Sequence, residues 1–492
     1  MTRQLCAHVH LDEGFAHDVD VELTADRMAA LGLPLGIHLV ALARHARQAA
    51  RRSERRDRLL SPLNLAFWAG WAVLVWGLVS GNDAALTLGL VLVVGSAVAA
   101  FWIVRAALSG SWRAAQDVYW GDRPAETLAD PVERDAETRL TALAKANVVP
   151  YTVSAATDPF VGSGSQLKDV VWQPIDVSRP ADDPANPGRK LAIKPFDAVD
   201  LHTFVAKEMA NIAGLEGLRA RNRMYVLGDH VQLLADDLLE PPGRPRAQIS
   251  ADIVRSAVVN PGAGMRTFLT LERISDGGRM IVSMMLRARL YHPSLSWEVL
   301  VYAIPPLSPV YSLVATLPGP GFERGRRLFG ASWKAWGKTL RCARRRNADR
   351  RAGARKRARD LRELRKELAA RRLIYDYGAT GSIRHSVSDW KQVTANDSAD
   401  SRDYLYRLQG GVLIATEKFL KAHHVDTSSY DQAVQVISNQ TYNVNGPVSG
   451  SSFGNNNQTN NYGQGNNPGG PQGGQPGGGP PGGPGQPGGP RP

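Results

Sequence analysis

Leu63–Val79 (LNLAFWAGWAVLVWGLV) and Ala84–Val104 (AALTLGLVLVVGSAVAAFWIV) contain no Asp, Glu, Lys or Arg, and only Ser80-Gly81-Asn82-Asp83 separates them. As helix, crossing a bilayer core takes about 20 apolar residues, with a range of about 17–25. The first segment is at the short end of that range and the second lies well inside it. Lipid cannot satisfy backbone polar groups, so a helix is the default spanning form. So short a polar turn makes the two spans antiparallel neighbours. The stretch reads as a transmembrane hairpin (residues 61–106), and the rest of the chain is placed relative to it.

Lys/Arg asymmetry sets the orientation. The turn has neither residue. Arg44, Arg47, Arg51, Arg52, Arg55, Arg56 and Arg58 precede the first span, and Arg105, Arg113 and Arg123 follow the second. Both termini are therefore expected in the cytoplasm, in a multi-pass protein of the cell membrane. Trp68, Trp76 and Trp102 suit interfacial anchoring, and Trp71 falls nearer mid-bilayer. Gly70, Gly77, Gly89, Gly95, Ser96 and Ala99 either form a close helix–helix seam or are ordinary membrane composition.

A length of 492 residues points to about three domains. The net charge is +13, with 47 Arg against 12 Lys, a bias that reads as a GC-rich genome. Cys6 and Cys342 make neither a disulfide framework nor a metal-site spacing, as in a reducing cytoplasm. No apolar stretch of signal-peptide type precedes residue 60, so the first span itself is the expected targeting signal.

Residues 1–60 form a cytosolic N-terminal region. Its His8, His10 and His17 with Asp12, Asp18 and Asp20 match no standard ligand spacing. Thr24 is a candidate N-cap of a helix that Pro34 interrupts. Leu35, Leu39, Leu42 and Ala46 then recur at helical spacing, with Arg44, Arg47 and Arg51 outside the stripe. A basic amphipathic helix just before a span is expected on the inner leaflet, where Arg51, Arg52, Arg55 and Arg56 would meet anionic lipid. The alternative is a helix whose apolar face meets a soluble domain.

Residues 107–146 read as a helical linker broken near Gly121 and Pro124, restarting at Asp130-Pro131. From Asn147 the pattern changes to short β-type runs: VVPYTV, VVWQPIDV, KLAIKPF, MYVLG, MRTFLTLERI, MIVSMMLRARLY and WEVLVYAI. DLHTFVAKEMANIA between them is helical. Residues 147–318 are thus a cytosolic α+β domain. Leu295–Leu317 fails as a third span, because Glu298, Pro305, Pro306 and Pro309 make it a strand with a proline-rich exit.

Residues 322–372 form a basic helical segment. Lys338–Arg372 holds 16 Lys/Arg against four acids, and Leu361, Leu364 and Leu368 mark a helix. The charge fits nucleic acid or anionic lipid. Position favours lipid, since the inner leaflet is negative and each basic residue near it is worth about 1 kcal/mol. Arg355, Lys356 and Arg357 are the expected contacts; nucleic acid is the less favoured partner, and a merely solvated helix is the plain alternative. Residues 373–437 form a small helical region, with Tyr404, Leu408, Val412, Ala415 and Phe419 on one face, Gly410-Gly411 weakening it, and Asp426-Thr427 capping a further short helix.

Residues 438–492 form a tail. Asn439-Gln440-Thr441 returns as Asn457-Gln458-Thr459, and the last 30 residues hold 14 Gly and 9 Pro. Such composition is disordered on its own. Its Asn/Gln content also favours cross-β stacking, to which Val444, Val448 and Phe453 would contribute. A solvated spacer is the alternative.

No catalytic, cofactor-binding or metal-binding set emerges. Phe160–Ser165 (FVGSGS), Leu191-Ala192-Ile193-Lys194 and Glu208 resemble parts of a kinase, but the H-R-D and D-F-G motifs are missing. Gly162, Ser163, Gly164 and Ser165 lack a Walker lysine, which leaves them as a possible anion nest. His423-His424 beside Asp426 is more simply an exposed helix end.

Arg55-Arg56-Asp57-Arg58-Leu59-Leu60, Pro159–Gly164, Leu420–Ser428 and the Asn439–Gly450 region resemble an uncharacterised group of actinomycete two-span membrane proteins with a cytosolic domain and a low-complexity C-terminal tail. That resemblance implies architecture and no activity. Asn443–Val448 (NVNGPV) is also similar to amyloid-type signalling motifs of bacteria.

The expectation is an α+β protein on a two-helix hairpin: a membrane-anchored, non-enzymatic interaction or signalling protein without cofactor, whose partners are the membrane, anionic lipid and a protein or copy bound through the tail. The alternative is a membrane-tethered enzyme with its site in 147–318. A transporter role is disfavoured by spans without ionisable residues. If the tail assembles, a peptide of residues 430–465 forms thioflavin-positive fibrils, and the same peptide carrying Ser at positions 444, 448 and 453 stays soluble.

Overall fold

The computed structural model describes residues 1–25, 27–153, 158–234, 238–240, 243–262, 264–275, 278–370 and 373–428, with Tyr430, Val434 and Ile437. Val444, Val448, Phe453 and the short helix expected after Asp426 lie outside the described residues.

Four helices build the N-terminal part: α1 (Thr2–His8), α2 (Glu13–Thr24), α3 (Leu39–Ser80) and α4 (Asp83–Trp120). The last two contain the expected hairpin but extend far past it. Gly81 closes α3 in the left-handed region and the Asn82 side chain accepts from the Ala85 amide to open α4. The hairpin seam is glycine-lined: a Cβ at Gly70, Gly77 or Gly89 would lie 2.7–3.0 Å from backbone of the facing helix. Gly95 faces open space instead. Two helices are thus long and apolar enough to cross a membrane, and only 17% and 22% of their most apolar windows is buried. A core helix of a soluble protein would be mostly covered.

After α4 the chain passes through a 3-10 turn (Ala125–Leu128) and α5 (Arg134–Leu143) into a mixed sheet. Its strands are β1 (Val148–Tyr151), β2 (Ser165–Val171), β3 (Ile175–Asp176), β4 (Arg219–Leu227), β7 (Met265–Ile274), β8 (Ile281–Tyr291) and β9 (Ser294–Ile304); β5 (Leu239–Glu240) and β6 (Arg244–Pro245) form a separate ribbon. The order is β1-β4-β7-β8-β9-β2, with β3 also on β9, antiparallel except for β1 on β4. Helices α6 (Ala198–Met209), α7 (Ala251–Val259), α8 (Phe322–Ala369), α9 (Ile383–Ser386) and α10 (Ala395–Ala422) complete the fold.

Both sheet faces are buried, which explains the near-continuous apolar runs of β8 and β9. Alternate residues go opposite ways. Ile281, Met285, Leu300, Tyr302 and Ile304 join a core with Leu5, Val9, Leu39 and Leu42. Met284, Leu286, Val299 and Val301 join another with Leu201, Val205, Leu405, Leu408 and Val412. The sheet is therefore sandwiched between the N-terminal region and the α6–α10 layer, and residues 1–60, 147–318 and 373–437 do not fold apart.

Several expectations change accordingly. The stripe Leu39, Leu42 and Ala46 is buried in the sheet core, so this face meets the α+β domain and is not free for a leaflet. Thr24 ends α2; its N-cap is Asp12, which accepts from the Phe15 amide at 3.0 Å. KLAIKPF is no strand: only Lys190 makes a bridge, to Asp182. Pro195 follows Lys194, whose Nζ turns to the Ala422 carbonyl at 3.3 Å, and Glu208 pairs with Lys418 at 2.9 Å. Gly410-Gly411 does not break α10; Gly411 lets α6 pack closely, where a Cβ would strike Ile212 and Met209.

The Gly162–Ser165 loop is a structural crossing. Phe160 anchors it among Tyr225, Phe268 and Tyr302, with ring centroids 4.7–5.2 Å away. Gly162 (φ +93°) lies against the Leu33 backbone, and Gly164 (φ +101°) against the Ala303 carbonyl. A side chain at either position meets both backbone strain and a clash. Gly164→Ala is expected to cost about 2 kcal/mol or more, read as a lowered denaturant midpoint of the detergent-solubilised chain.

Candidate functional site: the hairpin exit and its latch

Asp57 lies on α3 between the sheet core and the first apolar segment, and its side chain has no exposed surface. Three guanidinium groups close around it. Arg56 Nη2 is 2.8 Å from Oδ1, Arg346 donates to Oδ1 at 2.8 Å and to Oδ2 at 2.9 Å, and Arg350 Nη1 donates to Oδ2 at 2.8 Å. Arg56 also pairs with Glu13 of α2, donating through Nη2 at 2.9 Å. Arg346 and Arg350 belong to α8, so one carboxylate ties α8 to the stem of the hairpin. Burial pushes the Asp57 carboxyl up, but hydrogen bonds and charge from Arg346 and Arg56 outweigh it and hold it below the ordinary carboxylate range.

The latch continues towards the apolar segments. Asn347 donates to Ser61 Oγ at 2.7 Å, and Asn64 donates to the Leu340 carbonyl at 3.1 Å. Leu60, Ala100, Val104, Leu340 and Ala343 form a small buried core beside them. Further along, Phe101 packs on Phe329 and Trp333, at centroid distances of 5.3 and 6.2 Å. The Arg105 guanidinium stands over the Trp102 and Phe329 rings at 5.5 and 5.8 Å. α8 thus crosses the hairpin where both apolar segments end. Its far end returns to the soluble domain, where Leu361, Leu364 and Leu368 pack beside Met28, Val148 and Tyr377.

This geometry redistributes the basic residues expected at lipid. Arg56 is spent on Asp57 and Glu13 and is buried. Arg52 is half-buried between the α3 and α4 stems, 3.4 Å from His10 Nδ1; burial and nearby Arg113 push its pKa down. Arg51 and Arg55 are solvent-facing in whole or part. Arg355, Lys356 and Arg357 are exposed, but Arg355 lies 15 residues beyond Leu340, about 22 Å along the helix.

Other polar groups serve the interior. His10 and His45 share a buried contact at 3.0 Å, and His45 reaches the Ala125 carbonyl at 2.8 Å; burial holds both rings below the usual histidine range. Arg223 is buried on Glu272 across β4 and β7. In the Gly162–Ser165 loop the Ser163 amide donates to the Phe160 carbonyl at 2.9 Å, and Ser163 is fully buried. That amide is therefore taken up within the loop and not free for an anion. A cleft of about 130 Å³ opens instead beside edge strand β1, with Glu22, Arg27, Asp135, Arg139, Arg244 and Arg246 in its walls. Arg244 is paired there with Asp135 at 2.8 Å and Arg139 donates to the Leu23 carbonyl. Among the described residues, no group of three or more His, Cys, Asp or Glu could hold a metal ion.

Sequence comparison adds one finding to this geometry. The AbeC-like domain model matches residues 171–458. The chain belongs to the AbeC-like domain family. The AbeC-like region begins at the last residue of β2 and takes in β3, β4, β7, β8, β9, α8 and α10, while β1 precedes it. Both latch arginines of α8 fall inside it, whereas Asp57 and the two apolar helices precede it. No curated protein and no solved structure matches the chain.

Sequence reading placed Asp57 in the Arg55–Leu60 stretch but gave it no site role, although it is the only Asp or Glu besides Glu54 within the Arg44–Arg58 run. Asp57→Asn leaves three guanidiniums around a neutral group. Breaking a buried ion pair from one side costs about 3–5 kcal/mol, so the variant should melt well below the parent. A carboxyl titrating below its unfolded value of about 3.9 stabilises fully above that pH, and the contribution is lost as pH falls through the lowered value. Unfolding of the Asn variant should therefore lack that part of the acid dependence.

Proposed function

We propose that this AbeC-like protein is a membrane-anchored, non-enzymatic interaction or signalling protein. Its hairpin holds an α+β domain at the inner face of a bacterial cell membrane, with both termini cytoplasmic. The observation that carries this reading is the pairing of two facts: the described residues leave most of the apolar helices uncovered, and α8 is clamped to them where they end. A domain so attached gains a fixed height and orientation at the bilayer, which serves presentation to a partner. The apolar spans carry no ionisable residue for transport.

In this reading the tail after Ser438 recruits a protein partner or further copies, in keeping with the resemblance to two-span actinomycete proteins with low-complexity ends. Nucleic acid is the less favoured partner in this reading, because a basic helix clamped at the membrane faces anionic lipid first. Substituted-cysteine labelling tests the arrangement. In intact cells, Asn82→Cys should react with an impermeant maleimide, while Tyr291→Cys should react only after permeabilisation. Labelling of Tyr291→Cys from outside, or release of the chain by alkaline carbonate, would contradict the reading.

A further inference from the structure

The first third of α8 presents aromatic side chains that the described residues leave largely uncovered. Phe322, Phe329 and Trp333 are 89%, 50% and 62% exposed. They recur at i, i+7 and i+11, which places them on one helical face. Leu340 continues the same face and is buried in the small core at the hairpin exit. One stripe therefore packs on the hairpin in its later part and overhangs it in its earlier part. Arg327, Lys334 and Lys338 are exposed on the opposite side.

The height of the overhang is fixed by its contacts. Phe329 and Trp333 pack on Phe101, within the second apolar segment, and Phe329 also lies under Arg105, the first charged residue after it. The stripe is thus continuous with the uncovered face of the hairpin, where Trp102 and Val98 are 59% and 51% exposed. An aromatic face at this level, backed by cations, has the composition of a helix lying in a lipid interface.

We propose that the segment Phe322–Trp336 is a third membrane contact, an interfacial helix whose Phe322, Phe329 and Trp333 enter the inner leaflet while Arg327, Lys334 and Lys338 stay at the headgroups. The occupant of this face is lipid, and not a second protein. The inference rests on the membrane reading of the hairpin and assigns lipid contact to the start of α8, in place of Arg355–Arg357.

Nitroxide accessibility tests it on the full chain in phosphatidylcholine–phosphatidylglycerol vesicles, with Cys342→Ser as background. Labels are placed singly at Phe329→Cys and Trp333→Cys, with Leu90→Cys as the mid-span reference and Tyr291→Cys as the aqueous one. The expected result is preferential collision with oxygen over a water-soluble nickel chelate at 329 and 333, between the two references. Nickel access equal to that at Tyr291 overturns the proposal while the hairpin stands. Shielding from both colliders also overturns it, since the face is then covered by protein. Nickel access at Leu90 removes the membrane reading and the proposal with it.

Discussion

A carboxylate with no exposed surface, ringed by three guanidinium groups, is stable only as a complete set. Asp57 alone carries the negative charge that α8 brings Arg346 and Arg350 to meet, and Arg56 shares it from the same helix. Removing water from such a group is costly unless every partner is in place. The latch therefore exists only when α8 lies across the hairpin stem. The position of α8 in turn fixes the approach of the soluble unit to the apolar helices, because the same helix ends against β1 and β4 neighbours such as Val148 and Met224.

The sheet depends on both ends of the chain. Its strands could not expose one face to water, since Met284 and Met285 point to opposite sides and both are fully buried. The N-terminal helices and the start of α3 cover one side, and α6 with α10 covers the other. The long α3 thus belongs to two environments. Its first turns are core, its last turns are the uncovered apolar face, and Asp57 sits between them. Continuity of one helix through these zones makes the hairpin an extension of the domain rather than an appended anchor.

Much of this was legible in the sequence. Charge-free segments flanked by arginines gave the hairpin, and β-type runs gave β1, β4, β7, β8 and β9, whereas the single run VVWQPIDV straddles the end of β2 and all of β3. The KLAIKPF run misled because β-type composition outweighed Pro195, whose missing amide suits no central strand. The stripe from Leu39 to Ala46 was visible, but periodicity says only that a face is buried, not what buries it. The sheet that covers it lies more than 100 residues away in the chain. The candidate site was harder still. A lone Asp among arginines looks like a surface ion pair, and its partners on α8 are 289 and 293 residues distant. The basic helix has a related limit: charge density locates it, while only packing shows which third of it lies beside the apolar segments.

If Asp57 locks α8 onto the hairpin, the sheet domain and the two apolar helices move as one. Pulsed dipolar spectroscopy between spin labels at Ser109→Cys, on the α4 stem, and Ala352→Cys, on α8, tests it in lipid nanodiscs, with Cys342→Ser as background. The account predicts one narrow distance distribution in the chain that retains Asp57 and a broad one when Asp57→Asn is added. Equal distributions in the two chains, narrow or broad, would contradict it.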